Sequence, residues 1–148
     1  MKIVKGYLSC ALMCASIVTA NAASAAEISI TSPAKDASVI CGKTNENGYC
    51  LCPIQGKVSG LGKGQSVCTF MQFSGAATWW VSGNCLDASQ IVDGEWEQNW
   101  SSCGKANETG GIIIKAMILD KSYDAGVNIA NSDLPQGISE AGRRIKRQ

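Results

Sequence analysis

Residues 65–73, QSVCTFMQF, carry the pattern that decides the fold. The stretch is rich in β-branched and aromatic residues, and glycines precede and follow it at Gly64 and Gly75, which is typical of a strand between turns. Residues 112–119, IIIKAMIL, follow two glycines and give a second strong strand prediction. No helical periodicity is present beyond the N-terminal segment, so the sequence predicts an all-β chain.

Weaker strand predictions extend outward from these two segments. Asp93-Gly94 predicts the tight turn of a hairpin, and residues 45–48 (NENG) predict another turn. Turns recur roughly every 8–12 residues, a spacing typical of a β-sandwich of about seven short strands. The additional predicted strands are residues 27–31, 37–40, 51–58, 79–81, 90–92, 95–100 and 127–129.

Five segments together resemble the bacterial immunoglobulin-like domains of secreted and surface proteins. The similarity covers residues 28–120 and rests on an opening I-x-S-P strand, a G-x-V-x-G strand, a D-G-x-W hairpin and a final I-x-A-x-x-x-D strand. It implies an immunoglobulin-like β-sandwich that serves as an extracytoplasmic binding or structural module. The segments are ISITSPAKDASV (28–39), IQGKVSGLGKGQSV (54–67), WWVSG (79–83), VDGEWEQNW (92–100) and GIIIKAMILD (111–120).

The N-terminal segment has the three parts of a secretory signal peptide. Lys2 and Lys5 precede an apolar run over residues 6–18, and a small-residue stretch follows. We predict a signal peptide over residues 1–26, although cleavage after Ala25 also fits. The alternatives are an uncleaved anchor, for which the run is shorter than the roughly 20 residues that span a bilayer, and lipidation at Cys10 or Cys14.

The exported chain is predicted to divide into two parts. Residues 27–130 form the immunoglobulin-like domain, and residues 131–148 form a flexible basic tail whose last eight residues hold four Lys and Arg. In a second interpretation, the basic tail binds an acidic partner or an anionic lipid through electrostatic attraction. No further apolar run could span a membrane, so a secreted, periplasmic or cell-surface location is expected.

Charge and composition exclude several classes of function. The formal net charge is +1, whereas nucleic-acid-binding domains are usually strongly basic. The chain has no histidine, which removes Ser-His and Cys-His catalysis and the commonest transition-metal ligand. We therefore expect no catalytic activity, no metal, no cofactor and no nucleic-acid partner.

Six cysteines follow the predicted signal peptide, and an even number in an exported chain predicts three disulfides. A zinc site is disfavoured because the usual C-x2-C pairs are absent. Six cysteines allow 15 pairings, of which strand and loop geometry favours Cys41 with Cys50, Cys52 with Cys68, and Cys85 with Cys103.

The tryptophans are the strongest candidates for a recognition surface. Trp79 and Trp80 are adjacent and must face opposite ways on a strand, so we predict that Trp79 is exposed. The alternative is a purely structural role, with Trp80, Trp96 and Trp100 packing the core. The predicted binding residues are the Trp79 platform and the nearby hydrogen-bonding side chains of Asn84, Gln90 and Gln98.

These features favour an exported, non-catalytic binding module that recognises an envelope or surface protein or a glycan. A second hypothesis is a small secreted glycan hydrolase, because Glu95 and Glu97 share one face of a predicted strand. The alternative explanation is that these carboxylates lie on the solvent-exposed edge of a hairpin and have no catalytic role. A third hypothesis is a structural subunit of a surface assembly.

Overall fold

The computed structural model describes residues 25–148, and this part of the chain is all-β. Within it, the helical elements are two single-turn 3₁₀ helices, Ala88–Gln90 and Asn131–Asp133. No helix in the described range has the length and apolar character needed to cross a bilayer. The strands are β1 Glu27–Ser32, β2 Ser38–Val39, β3 Tyr49–Leu51, β4 Ile54–Ser59, β5 Ser66–Phe73, β6 Thr78–Val81, β7 Leu86–Asp87, β8 Glu95–Gln98, β9 Ser102–Lys105, β10 Gly110–Leu119, β11 Asn128–Ala130 and β12 Ser139–Arg147.

The two strongest predicted strands lie side by side at the centre of a seven-stranded sheet. β5 and β10 pair antiparallel, with Ser66 opposite Leu119 and Phe73 opposite Ile112. The strand order is β11-β6-β5-β10-β12-β2, and β7 pairs with the beginning of β5. The prediction of an all-β chain is therefore confirmed.

A three-stranded sheet, in the order β1-β4-β8, packs against one face of the large sheet. β4 alternates buried and exposed residues along its whole length, so one of its faces points to the core. Gly56 belongs to this inner face, and a Cβ there would overlap the Ser29 carbonyl oxygen and the Trp96 indole. The core between the sheets includes Ile30, Ile54 and Trp96 of the small sheet and Met71, Ile114 and Ile118 of the large one.

The other face of the large sheet is also buried. The segments on either side of β11 contribute Tyr123 and Leu134 to this face, where Tyr123 packs edge-on against Phe70 with ring centroids 5.6 Å apart. Strands β5 and β10 therefore have apolar side chains on both faces, which explains their nearly continuous hydrophobic runs. The buried residues of this second cluster are Cys68, Phe70, Trp79, Val81, Met117, Leu119 and Ile129.

The C-terminal segment does not form the flexible tail that the sequence predicts. β12 inserts between β10 and β2, and its register with β10 runs from Ser139 opposite Ile118 to Arg147 opposite Gly110. Ile145 is buried in the core between the sheets. Residues 139–147 thus close one side of the large sheet, because backbone pairing with β10 and burial of Ile145 outweigh the repulsion among the basic side chains.

The predicted hairpin turn at Asp93-Gly94 is present, but its first arm is not a strand. Asp93 and Gly94 have φ values of 52° and 75°, as the two central residues of a type I′ turn require. Before the turn, only Val92 bridges to Glu95, and Gln90 belongs to a 3₁₀ helix. β8 instead pairs with β4. Strands β7 and β9 had no counterpart in the sequence predictions.

Three disulfides are present among residues 25–148, and only one of the favoured pairings is confirmed. Cys41 bonds Cys50, as expected, while Cys52 bonds Cys103 and Cys68 bonds Cys85. The pairings Cys52–Cys68 and Cys85–Cys103 are wrong because β7 pairs with the beginning of β5 and brings Cys85 beside Cys68. Residues 1–24 of the predicted signal peptide, with Cys10 and Cys14, lie outside the described range.

Candidate functional site: an aromatic groove

A groove of about 530 Å³ runs beside β6, β9 and β11 and combines aromatic with amide side chains. The depression of similar volume beside β8 has one aromatic residue in its lining, Trp96, whereas four contribute to the lining of this groove. We call it the aromatic groove. Its lining includes Tyr49, Phe73, Trp80 and Trp100 together with Asn45, Asn47, Thr78, Ser102, Glu108 and Asn128.

Trp80 forms a fixed part of the groove wall. Its indole Nε1 donates a hydrogen bond to the Ser102 carbonyl oxygen at 3.1 Å. Its ring packs against Phe73 with centroids 5.6 Å apart. The indole is half-buried, so one part anchors it and another part faces the groove. A ring held in this way loses little conformational entropy when a ligand binds.

Trp100 is the most exposed aromatic side chain of the groove, with 72% of its surface accessible. The sequence alternation predicts that Trp100 shares the buried face of Trp96 and Gln98. However, β8 ends at Gln98, and the turn that follows directs Trp100 outward. The ammonium group of Lys43 lies 5.5 Å from the centroid of the indole. Trp100 therefore does not pack the core, whereas Trp96 does, with 1% exposure.

The polar part of the groove is held by a tight loop. The Asn45 side-chain oxygen accepts hydrogen bonds from the backbone N–H groups of Asn47 and Tyr49, each at 3.0 Å. These bonds fix the turn that the NENG sequence predicts and place Tyr49 at the groove. Asn128 comes from the edge strand β11 on the opposite side.

The groove carries little charge. Glu108 is the single ionisable carboxylate or ammonium residue of its lining, and its carboxylate accepts a hydrogen bond from the Lys105 backbone N–H at 2.5 Å. Such a surface offers apolar faces, amide donors and acceptors, and hydroxyls, with the Glu108 carboxylate and the nearby Lys43 ammonium group as its charges. The chemistry suits an uncharged ligand with both apolar faces and polar edges.

Trp79 does not lie on the surface, contrary to the prediction. It is only 6% exposed and packs in the second core cluster, where the Lys115 ammonium group lies 5.5 Å from its ring. Trp79 and Trp80 do face opposite ways, as their adjacent positions require. Because the face toward which Trp79 points is buried in the second core cluster, Trp80 is the member of the pair that reaches the groove.

Gln98 is not available to a ligand either. Its side chain is 5% exposed, its amide nitrogen donates to the Asn84 carbonyl oxygen at 2.8 Å, and its oxygen accepts from Ser101 Oγ at 3.2 Å and from Thr69 Oγ1. Gln98 therefore joins three chain segments inside the fold.

Asn84 and Gln90 are exposed, but each already has a structural partner. Asn84 Oδ1 accepts from the Ala125 N–H at 3.0 Å. Gln90 Oε1 accepts from the Asp87 N–H at 3.1 Å, completing a capping box. In the same box, the side-chain hydrogen bond from Ser89, aided by its backbone N–H, lowers the pKa of Asp87. The four predicted binding residues therefore do not converge on one site.

Glu95 and Glu97 lie on the outer, solvent-facing side of the small sheet. Glu97 accepts a hydrogen bond from Gln55 Nε2 at 2.6 Å, and Glu95 lies 3.8 Å from the Lys57 ammonium nitrogen. Both partners come from the adjacent strand β4. The two carboxylates line an open depression with Gln90 and Asp93. This arrangement matches cross-strand pairing on an exposed sheet face.

The sequence contained a partial signal for the aromatic groove. The NENG turn and the following Tyr49 were visible, but nothing local indicated that β8 stops before Trp100 or that Trp80, which packs against the core between the sheets, also reaches the groove. The groove also depends on segments far apart in sequence, from Asn45 to Asn128. No family model, no curated protein and no solved structure matches this chain.

Proposed function

We propose that this chain is an exported, non-catalytic binding module of the cell envelope or surface that recognises a neutral glycan in the aromatic groove. The observation that carries the proposal is the pairing of an exposed indole, Trp100, with an anchored indole, Trp80, in a groove of low charge. The ligand class and the location both belong to the proposal.

The groove chemistry favours a sugar over a protein segment. A pyranose ring has an apolar C–H face, which can stack on an indole, and an equatorial rim of hydroxyls that hydrogen-bond to amides. Trp100 and Trp80 supply the aromatic faces, while Asn47, Asn128 and Ser102 supply polar groups around them. An apolar peptide would leave these amides without partners, which costs free energy on binding.

We further propose that the fold is immunoglobulin-like. The small sheet β1-β4-β8 has the order of strands A, B and E, and the run β6-β5-β10-β12 has the order of strands C′, C, F and G. The chain departs from antibody domains because no disulfide links β4 to β10. This order supports the resemblance in the sequence, with loops and sheet edges available for recognition.

Export is supported by two independent features. The N-terminal sequence has the parts of a signal peptide, and three disulfides form within residues 41–103. Disulfides persist in the periplasm and outside the cell, whereas the cytosol keeps thiols reduced.

The decisive experiment measures glycan binding by the purified oxidised chain. Screening on a glycan array identifies a ligand, and isothermal titration calorimetry with that ligand compares the chain with Trp100→Ala. We expect Trp100→Ala to weaken binding at least about fivefold, because loss of an aromatic stack removes about 1 kcal/mol or more. Val92→Ala is a matched control, since Val92 is 69% exposed and lies outside the groove; its affinity should not change.

Two outcomes would contradict the proposal. One is that the chain binds an envelope protein, that Trp100→Ala abolishes this binding, and that no glycan binds. This result would assign the groove to a protein partner. The other is glycan cleavage that disappears in Glu95→Ala or Glu97→Ala, which would establish the hydrolase hypothesis. A structural subunit would instead self-associate through a free strand edge, for which β12 is the candidate because β2 pairs with it only at Lys146 and Arg147. A monomer in size-exclusion chromatography with light scattering would argue against that role.

A further inference from the structure

The Cys41–Cys50 disulfide differs from the other two in its electrostatic surroundings. Cys50 is completely buried, Cys41 is half-buried, and the Arg147 guanidinium lies within hydrogen-bonding distance of Cys50 Sγ. We propose that this disulfide is a site of reversible modification by small thiols, with Cys41 as the sulfur that is attacked and Cys50 as the leaving thiolate. The inference is independent of the proposed glycan binding.

Arg147 is a buried cation that pairs with no Asp or Glu side chain among the described residues. Its side chain is 1% exposed, and the ion pairs in residues 25–148 join Lys57 to Glu95 and Lys115 to Glu140. Its Nη1 atom donates to the Gln148 main-chain oxygen at 2.8 Å, its Nη2 atom lies 3.4 Å and 3.5 Å from the carbonyl oxygens of Lys105 and Ala106, and its Nε atom has no partner. A buried positive charge of this kind stabilises a nearby anion.

Cys50 is the group beside Arg147 that can become an anion. An external thiolate attacks Cys41 Sγ and forms a mixed disulfide with it, while the Cys41–Cys50 bond breaks and its electron pair remains on Cys50. The exchange needs no further oxidant or reductant. An adjacent arginine lowers the pKa of a thiol, and a leaving thiol of lower pKa departs faster. A second thiol, or the Cys50 thiolate itself, then releases the adduct from Cys41.

The other two disulfides lack this combination of access and leaving-group stabilisation. Cys52 and Cys103 are both buried, so an incoming thiol has no route to either sulfur. Cys85 is half-buried, but attack there would expel Cys68, whose sulfur faces the Lys121 carbonyl oxygen at 3.8 Å. A carbonyl oxygen repels a developing thiolate, so this exchange is disfavoured.

The loop between Cys41 and Cys50 can keep its shape after the exchange. The Asn45 N–H donates to the Tyr49 carbonyl oxygen at 2.8 Å, and the Leu51 N–H donates to the Lys43 carbonyl oxygen at 2.8 Å. The bond closes a sequence separation of only nine residues, the shortest of the three. The modified chain is therefore expected to stay folded, which makes the modification reversible.

The first test uses the wild-type chain and glutathione as the probe. The oxidised protein is incubated with increasing concentrations of reduced glutathione, quenched with acid, alkylated and analysed by peptide mass spectrometry. We expect a glutathione adduct on Cys41 and a free thiol on Cys50 while the other two disulfides remain intact. An adduct on Cys50 or Cys85, or simultaneous loss of all three bonds, would overturn the proposal.

The second test measures the role of Arg147. We expect Arg147→Gln to slow adduct formation about tenfold, because the Cys50 thiolate leaves without the adjacent positive charge, and Arg147→Lys to restore most of the rate. Arg143→Gln is the control, because Arg143 lies on the same inward side of β12 and contacts the Ile30 carbonyl oxygen rather than a sulfur. Equal rates in wild type and a folded Arg147→Gln would refute the role of Arg147. If Arg147→Gln does not fold, the adduct position in the wild type decides the proposal.

Discussion

Gln98 shows how one buried amide can hold several segments together. Its oxygen accepts from Thr69 and Ser101, and its nitrogen donates to the Asn84 carbonyl oxygen. Thr69 also bonds Ser82 at 2.7 Å, so the network reaches from β5 to the chain that follows β6. Such a network is costly to disrupt, because each group left without a partner stays desolvated.

We therefore expect Gln98→Ala to lower the free energy of unfolding by about 3 kcal/mol, because it leaves several buried polar groups without partners. Urea denaturation followed by tryptophan fluorescence measures the change. Gln55→Ala is the control, since Gln55 is exposed, and its effect should stay within about 0.5 kcal/mol. Equal effects of the two substitutions would show that the Gln98 network contributes no net stability.

The tryptophan pair marks the limit of prediction at the residue scale. The sequence correctly predicts that Trp79 and Trp80 face opposite sides, because this follows from strand geometry. It does not reveal which side is covered, since the segments on either side of β11 that contribute to the cover have weak periodicity and few apolar residues. The exposure of Trp100 could not be predicted either, because it depends on where β8 ends.

At the scale of elements, the contact between β4 and β8 depends on a glycine. The Trp96 indole occupies the space where any side chain at position 56 would begin, and the Ser29 carbonyl oxygen closes the other side. Gly56 thus allows β1, β4 and β8 to pair while Trp96 fills the core between the sheets.

We expect Gly56→Ala to destabilise the fold by about 3 kcal/mol or more, because both a strand backbone and a buried indole would have to move. Thermal unfolding monitored by circular dichroism gives the measurement. Gly142→Ala is a matched control within a strand, since a Cβ there would meet only the Ile114 carbonyl oxygen at 4.0 Å. A melting temperature for Gly56→Ala equal to that of the control would contradict the packing argument.

The strands that sequence predicts best are those with the most continuous apolar pattern. β5 and β10 could be predicted because strands that are buried on both faces have nearly continuous runs of apolar residues in the sequence. β12 was missed because its inward positions include Arg143 and Arg147, whose charges mimic a solvated tail. β7 was missed because it has only two residues, and this omission led directly to the two wrong disulfide pairings.

For the whole molecule, the three disulfides stabilise the fold to different extents. Cys52–Cys103 closes a separation of 51 residues and links the beginning of β4 to β9, whereas Cys41–Cys50 spans nine. In the loop-entropy model, restricting the unfolded chain over the longer loop contributes about 1.5 kcal/mol more. The long-range bond is therefore the main covalent support of the fold.

We expect the double variant Cys52→Ala/Cys103→Ala to lose about 4 kcal/mol of unfolding free energy and Cys41→Ala/Cys50→Ala to lose about 1.5 kcal/mol less. Guanidinium denaturation of both variants and the wild type provides the comparison. The second variant is the control for the loss of two cysteines. The reverse order of stabilities would rule out loop length as the dominant factor.

The position of β12 has a consequence for the order in which the molecule can be assembled. β12 separates β10 from the N-terminal strand β2 and contributes Ile145 to the core. Under the proposed export, a polypeptide threaded through a translocation channel from its N-terminus must therefore release residue 147 before this sheet can close. Until then, the strand edge of β10 has no neighbour on one side, and a holding chaperone at the channel exit would have a defined segment to shield.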